Sequence, residues 1–192
     1  MLKVAISGNI ASGKSTVENI LKNIGYSVYD TDEIAHNILV NSDTVKNKFK
    51  DYDIISNGQI DRKKLAKVVF SDSEKLKLLE NIIHPLVKDE IIKIFNLPKE
   101  IVFVSVPQLF EAGFEKLFDK VIFVTADKDI RIKRLIKRND YTESEALIRI
   151  NAQSDEDEKI LKSDYVIQNN ATEKELLIQV KQILVKLRQE KS

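Results

Sequence analysis

Five short runs of apolar residues recur along the chain and predict five buried strands. Several runs are nearly continuous in valine, isoleucine and phenylalanine, which is typical of strands that helices cover on both faces. The runs are LKVAIS (2–7), SVYD (27–30), IVFVSV (101–106), VIFVTA (121–126) and DYVIQN (164–169). The pattern therefore predicts an α/β fold with a five-stranded parallel sheet flanked by helices.

Helical patterns alternate with these runs. Apolar residues recur at helical spacing from Val17 to Ile24, and Gly25 supplies a left-handed end to that helix. Three capping boxes, in which a hydroxyl residue precedes a glutamate by three positions, predict further helix starts. They are Ser71 with Glu74, Thr142 with Glu145, and Thr172 with Glu175.

The spacing of the predicted strands is uneven. About 70 residues separate the second strand from the third, far more than one crossover helix needs. We expect an inserted helical subdomain at about 58–97, with helices at 61–70 and 74–95. Pro85 should kink or split the longer helix, because proline has no backbone N–H to donate. His84, just before this break, is a candidate substrate contact.

The composition is that of a folded chain with balanced charge. Hydrophobic residues make up 43% and charged residues 32% of the 192 residues, and the net charge is +1. No global field attracts nucleic acid or an acidic membrane, so any anion site must be local. The chain has no cysteine, which excludes disulfides and thiolate catalysis. No signal-peptide pattern or membrane-length apolar run is present, so we expect a cytoplasmic protein.

The stretch GNIASGKST (8–16) follows the first predicted strand and contains the pattern Gly, four residues, Gly, Lys, Ser. A backbone that wraps an anion with its N–H groups inward needs glycine at Gly8 and Gly13, and it presents those groups at a helix start. Lys14 should reach the β and γ phosphates, and the Ser15 hydroxyl is placed to ligate magnesium. The strand before and helix after favour a nucleotide site over a simple glycine turn.

A phosphate loop alone does not identify a reaction, because switches, motors and kinases share it. No Asp-x-x-Gly follows the third strand and no Asn-Lys-x-Asp follows a late strand, which argues against a guanine-nucleotide switch. The third strand also lacks the terminal aspartate that many ATPases use for magnesium. A small-molecule kinase is favoured, and a nucleotide-dependent switch or binding module is the alternative from another class.

Two carboxylates follow the second predicted strand. Asp30 with Glu33 fits a helix cap. Asp32, in the first helical turn, either interacts with the helix dipole alone, or accepts a proton from an attacking hydroxyl or helps to hold magnesium.

The basic run RIKRLIKR (131–138) follows the fourth strand. On a helix Arg131, Arg134 and Arg138 share one stripe, which is either a solvated face or a set of arginines at the base of a lid. Such arginines stabilise charge on a transferring phosphoryl group. The charged stretch at about 138–158 is the candidate lid, which would exclude water from the reaction.

Taken together, these segments resemble the dephospho-coenzyme A kinase family, over nearly the whole chain. The matching segments are GNIASGKST, YDTDEIAH (29–36), GQIDRKKLAKVVF (58–70), IIHPLV (82–87), VPQLFE (106–111), KRLIKRND (133–140), RINAQ (149–153) and DYVIQNN (164–170). The loop is shared by many families, whereas the ordered set of the others is specific.

The resemblance implies a nucleoside-monophosphate-kinase-like P-loop fold within one domain, residues 1–192. It implies transfer of the γ phosphate of ATP, with Mg²⁺, to the ribose 3′-hydroxyl of dephospho-coenzyme A. Asp32 would be the general base, and Lys14 and Arg138 the charge stabilisers. The implied nucleotide contacts are Gly8, Ala11, Ser12, Gly13, Lys14, Ser15, Thr16, Arg134 and Asn169. The implied acceptor contacts are Asp32, Arg62, His84 and Glu111, and Ser15 is the implied metal ligand.

The expected partners are therefore the small molecules ATP and dephospho-coenzyme A, with no nucleic acid and no membrane. Another small-molecule or nucleoside-monophosphate kinase is the alternative within the fold. The chain departs from the usual family pattern at Asn9, Gln108 and Gln168. Because a loop residue binds phosphate through its backbone N–H, we expect binding to survive at Asn9 if asparagine tolerates the dihedrals there.

Overall fold

The computed structural model describes residues 1–153 and 155–190 of the chain. Ser154, which falls within the predicted lid, and residues 191 and 192 lie outside the described residues. The chain divides into two compact units, one made of Met1–Tyr29 with Pro98–Ser192 and the other of Asp30–Leu97. The predicted insert at 58–97 falls within the second unit, and its role in holding an acceptor stays a prediction.

Seven strands are described, five of them in one parallel sheet with the order β2-β5-β1-β6-β7. The strands are β1 (Leu2–Gly8), β2 (Val28–Asp30), β3 (Ile55–Ser56), β4 (Gln59–Ile60), β5 (Ile101–Ser105), β6 (Lys120–Thr125) and β7 (Tyr165–Gln168). The central strand β1 pairs with β5 on one side and β6 on the other, in a register that sets Val4 opposite Phe103 and Lys120. All five predicted sheet strands are thus confirmed.

The helices of the first unit are α1 (Lys14–Asn23), α6 (Lys128–Asn139), α7 (Glu143–Asn151), α8 (Glu156–Leu161) and α9 (Glu173–Gln189). Those of the second unit are α2 (Thr31–Val40), α3 (Asp43–Lys48), α4 (Arg62–Phe70) and α5 (Ser73–Phe95). A short 3₁₀ turn spans Glu115–Leu117. No helix in the part of the chain described is both long enough and apolar enough to cross a membrane.

The core of the first unit fixes the two elements that flank the phosphate loop. Val4 and Ile6 of β1 pack in one buried cluster with Val17 and Leu21 of α1 and with the inner face of α9. Each such aliphatic side chain contributes about 1.5–3 kcal/mol when fully buried. Because β1 and α1 share this core, the loop that joins them has two rigid ends.

Helix starts follow the predictions with one exception. The capping boxes that begin α7 and α9 are both present. The predicted box at Ser71 is wrong: Asp72 caps α5 and accepts the N–H of Glu74 at 3.0 Å. Ser71 instead donates its hydroxyl to the carbonyl of Val68 at the end of α4, 3.0 Å away. Because the Ser71 hydroxyl is bonded to α4, the adjacent Asp72 is the residue that caps α5.

In the second unit, α5 runs through Pro85 without interruption, so Pro85 does not split this helix, and the alternative that it kinks the helix stays a prediction. A proline inside a helix costs about 3 kcal/mol. The burial of apolar side chains at every fourth position compensates for this cost. The buried residues on this face of the helix are Ile83, Val87, Ile91 and Phe95. Packing thus overrides the local preference against proline.

Candidate active site

The phosphate loop begins where β1 ends at Gly8 and finishes where α1 starts at Lys14. Gly13 caps the helix in the left-handed region, with φ of 92°. A Cβ on Gly13 would lie 1.9 Å from Nδ2 of Asn169, and a Cβ on Gly8 would lie 2.5 Å from the carbonyl oxygen of Val124. Both glycines are therefore required by close approach, and Gly13 also by its dihedrals.

Arg134 and Asn169 hold the outer side of this loop through its carbonyl groups. Arg134 donates from Nη1 to the carbonyls of Ala11 at 3.2 Å and Ser12 at 3.0 Å, and from Nη2 to the carbonyl of Asn169 at 2.8 Å. The Asn169 amide donates to the same Ser12 carbonyl at 2.8 Å. Burial lowers the pKa of the Arg134 guanidinium. These bonds fix the loop where Ala11 has a positive φ of 59°.

Arg131 and Gln153 hold both backbone polar groups of Ile10. Arg131, only 3% exposed, donates from Nε to the Ile10 carbonyl at 3.0 Å and from Nη2 to Gln153 Oε1 at 3.2 Å. The same Gln153 oxygen accepts the N–H of Ile10 at 2.8 Å. Glu156 completes the network by accepting from Arg131 Nη1 at 2.6 Å. The segment after α7 is thus bonded to the loop.

Loss of the Gln153 acceptor should weaken ATP binding. Gln153→Met keeps the length of the side chain but leaves the Ile10 N–H and one Arg131 N–H without this oxygen. These bonds are part-buried, so their loss should cost near the lower end of the roughly 1–3 kcal/mol of a buried bond, about 1.4 kcal/mol, and we expect the KM for ATP to rise about tenfold. Ser42→Ala, which removes the cap of α3, is the control that lowers stability without changing the KM for ATP. Steady-state kinetics with varied ATP measures this effect. Equal values of the KM for ATP in the two variants would contradict the role of Gln153.

Two lysines beside the loop are paired with carboxylates. Lys14 Nζ lies 2.6 Å from Glu18 Oε1. Lys159, on α8 and 5% exposed, lies 2.6 Å from Glu111 Oε1 and donates to the Asn9 side-chain oxygen at 3.4 Å. Glu111 is therefore linked to the loop through Lys159, and the departure at Asn9 is accommodated by the same lysine.

The three arginines of the predicted stripe on α6 have different surroundings in the structure. Arg131 and Arg134 bind loop carbonyls, so a solvated face is wrong for these two. Arg138 is exposed in the last turn of α6, and its Nε donates to Asn139 Oδ1 at 2.9 Å. The role of Arg138 as a charge stabiliser stays a prediction.

Three of the predicted residues belong to the second unit. Asp32 is exposed in the first turn of α2 and donates its N–H to Oδ1 of Asp30 at 2.8 Å, which confirms Asp30 as the helix cap. Arg62 is the first residue of α4, after the cap Asp61, and the backbone N–H of Lys64 lowers the pKa of Asp61. His84 lies half-buried within α5. Their functional roles stay predictions.

The loop at the end of β1, its lysine at the start of α1 and the parallel sheet together define a P-loop kinase fold. The sequence model of the dephospho-CoA kinase family matches residues 2–175. The chain belongs to the dephospho-CoA kinase family, and it is therefore a kinase.

Individual relatives agree with this assignment. The dephospho-CoA kinase of Helicobacter pylori is 36% identical over 191 residues, which cover 94% of this chain and 95% of that one. Among solved structures, a Thermus thermophilus protein superimposes with a TM-score of 0.84 and 34% identity, covering 97% of each chain. The dephospho-CoA kinase of Campylobacter jejuni gives a TM-score of 0.78 with 29% identity, over 99% of this chain and 98% of that one. The predicted fold class and family are confirmed.

Proposed function

We propose that this kinase transfers the γ-phosphoryl group of ATP to the ribose 3′-hydroxyl of dephospho-coenzyme A, in the cytoplasm, giving coenzyme A and ADP. The observation that carries the proposal is the left-handed Gly13 leading directly into Lys14, in a chain that matches the family over residues 2–175. The loop supports an ATP site, and the family supports the acceptor.

On the donor side, we infer that the nucleotide phosphates lie at the start of α1. The first backbone N–H groups of a helix lack helical acceptors and form its positive end, which favours an anion. The N–H groups of Lys14 and Ser15 occupy these positions, and the Lys14 ammonium adds a full charge. Gly8, Ala11 and Ser12 shape the turn, and Thr16 continues the first helical turn.

Ser15 is the residue that would hold a magnesium ion. Its side chain is exposed in the first turn of α1, and a hydroxyl is the hard oxygen ligand that Mg²⁺ prefers. Mg²⁺ is typically bound through few protein ligands together with substrate phosphates and water, which fits a single hydroxyl. The bound ion would neutralise charge on the β and γ phosphates.

On the acceptor side, Asp32 takes the proton of the 3′-hydroxyl as that oxygen bonds to the γ phosphorus and ADP departs. Phosphoryl transfer depends mostly on positioning and electrostatics, so Arg138 would contribute charge rather than covalent chemistry. Arg62, His84 and Glu111 are the proposed acceptor contacts. The insert at 58–97 would hold the acceptor, and the stretch at about 138–158 would exclude water.

An ATP-dependent assay with competing acceptors tests the proposal. We expect phosphorylation of dephospho-coenzyme A, with adenylate, cytidylate and shikimate turned over at least about 100-fold less efficiently. The position of the phosphate in the product, determined by phosphorus NMR, should be the ribose 3′-oxygen. Turnover of another acceptor without turnover of dephospho-coenzyme A would reject the assignment.

A further inference from the structure

A buried carboxylate lies directly behind the phosphate-loop lysine. Glu18, one helical turn after Lys14 in α1, is only 7% exposed. Its Oε1 lies 2.6 Å from Lys14 Nζ and accepts the hydroxyl of Ser105 at 2.7 Å. Lys14 Nζ also donates to the Ser105 oxygen. The three side chains form a closed triangle in which each is bonded to the other two.

This triangle differs from an ordinary ion pair on a helix surface. Exposed pairs four residues apart contribute little, and lysine preceding glutamate is the weaker orientation. Here Glu18 is buried, Lys14 is partly buried, and both contact fully buried Ser105 at the end of β5, 87 positions beyond Glu18. Removing one partner of a buried pair leaves an uncompensated charge, so the pair strongly favours the arrangement it holds. The Lys14 ammonium is thus fixed by Glu18 and Ser105.

We propose that Glu18 is a positioning residue that acts through Lys14: as the counter-ion of Lys14, it competes with nucleotide phosphates for the ammonium and so sets the affinity for them. The inference rests on the proposed donor role of Lys14. An arriving phosphate either displaces Glu18 from the ammonium or binds beside it. In both cases the negative charge of Glu18 opposes binding of an anion, and it opposes an uncharged ligand far less.

Glu18→Gln tests this directly, because glutamine keeps the shape and an acceptor oxygen but removes the charge. We expect the Kd for ATP, measured by titration calorimetry, to fall about tenfold. The Kd for adenosine, measured by competition, should stay within about twofold because adenosine carries no phosphate. ATP should also raise the Tm of the variant more than that of the wild type, because a ligand that binds the folded state more tightly stabilises it more.

Two further variants separate competition between Glu18 and the nucleotide phosphates from a general effect of removing a negative charge. Glu173→Gln removes the same charge from an exposed position at the start of α9, and its ATP affinity should equal that of the wild type. Ser105→Ala keeps both charges but removes one acceptor from Lys14 and one donor from Glu18. It should tighten ATP binding in the same direction by about threefold, so it decides the question if Glu18→Gln does not fold.

Unchanged or weaker ATP binding in folded Glu18→Gln would overturn the inference, as would equal tightening for ATP and adenosine. If Glu18→Gln does not fold, unchanged ATP affinity in Ser105→Ala would overturn it. These binding measurements need no acceptor. Failure of the proposed function would appear separately, as wild-type protein that binds ATP without phosphorylating dephospho-coenzyme A.

Discussion

Replacing Gly13 by alanine should lower ATP affinity by at least about 100-fold and the free energy of unfolding by about 2–4 kcal/mol. Gly13 has φ of 92°, and a Cβ there would lie 1.9 Å from Asn169 Nδ2 and 3.2 Å from Asn169 Cγ. The amide cannot withdraw without loss of its 2.8 Å bond to the Ser12 carbonyl. Relief of the clash therefore distorts the loop that presents its N–H groups to phosphate.

Gly25→Ala is the matched control for this variant. Gly25 lies just past the end of α1 and also has a positive φ, of 102°. Apart from Gly25 and its two chain neighbours, no described residue has an atom within 4 Å of the position that a Cβ would take. The control incurs the left-handed penalty of about 1–2 kcal/mol without the clash. Denaturant unfolding and calorimetry should show reduced stability with unchanged ATP affinity for Gly25→Ala. Equal losses of ATP affinity in both variants would show that the contact with Asn169 is irrelevant.

The three central strands, β1, β5 and β6, were predictable because they are covered on both faces and are therefore nearly continuous apolar runs in the sequence. The run at 121–126, for example, corresponds to β6 at Lys120–Thr125. The hairpin of β3 and β4 was missed, although Asn57 and Gly58, with φ of 51° and 78°, form the Asn-Gly turn that favours such hairpins. Its strands are two residues long, too short for an alternating pattern to appear.

The phosphate loop was predictable for a different reason, because the residues that define it are close together in the sequence. Arg134 and Asn169 were expected near the nucleotide, but the hydrogen bonds by which side chains hold the loop were not predictable, because the two partners of each bond are distant in sequence. Gln153 is 143 positions from Ile10, and Lys159 is 150 positions from Asn9. Arg131 belongs to a basic run that is typical of a solvated helix face. Only the folded chain shows that this guanidinium is buried and that each of its three nitrogens donates to an oxygen acceptor.

Asp32→Asn is expected to retain ATP affinity within about twofold while kcat falls by about 10²–10⁴-fold. Asparagine keeps the size of the side chain but accepts no proton from the 3′-hydroxyl. The backbone bond from residue 32 to Asp30 Oδ1 does not involve the altered group, so α2 keeps its cap. Stopped-flow or steady-state turnover, together with calorimetric ATP titration, measures both quantities.

Glu33→Gln separates the two interpretations of Asp32, because both residues are exposed carboxylates in the first turn of α2. A negative charge in that turn interacts favourably with the helix dipole, by about 0.3–1 kcal/mol, and either variant removes one such charge. If Asp32 only interacts with the helix dipole, Asp32→Asn and Glu33→Gln lose similar stability and both retain turnover. If Asp32 is the base, only Asp32→Asn loses turnover. Near-normal kcat in Asp32→Asn would therefore reject the role of Asp32 as general base. Its interaction with the helix dipole would then be a sufficient explanation for a carboxylate at this position.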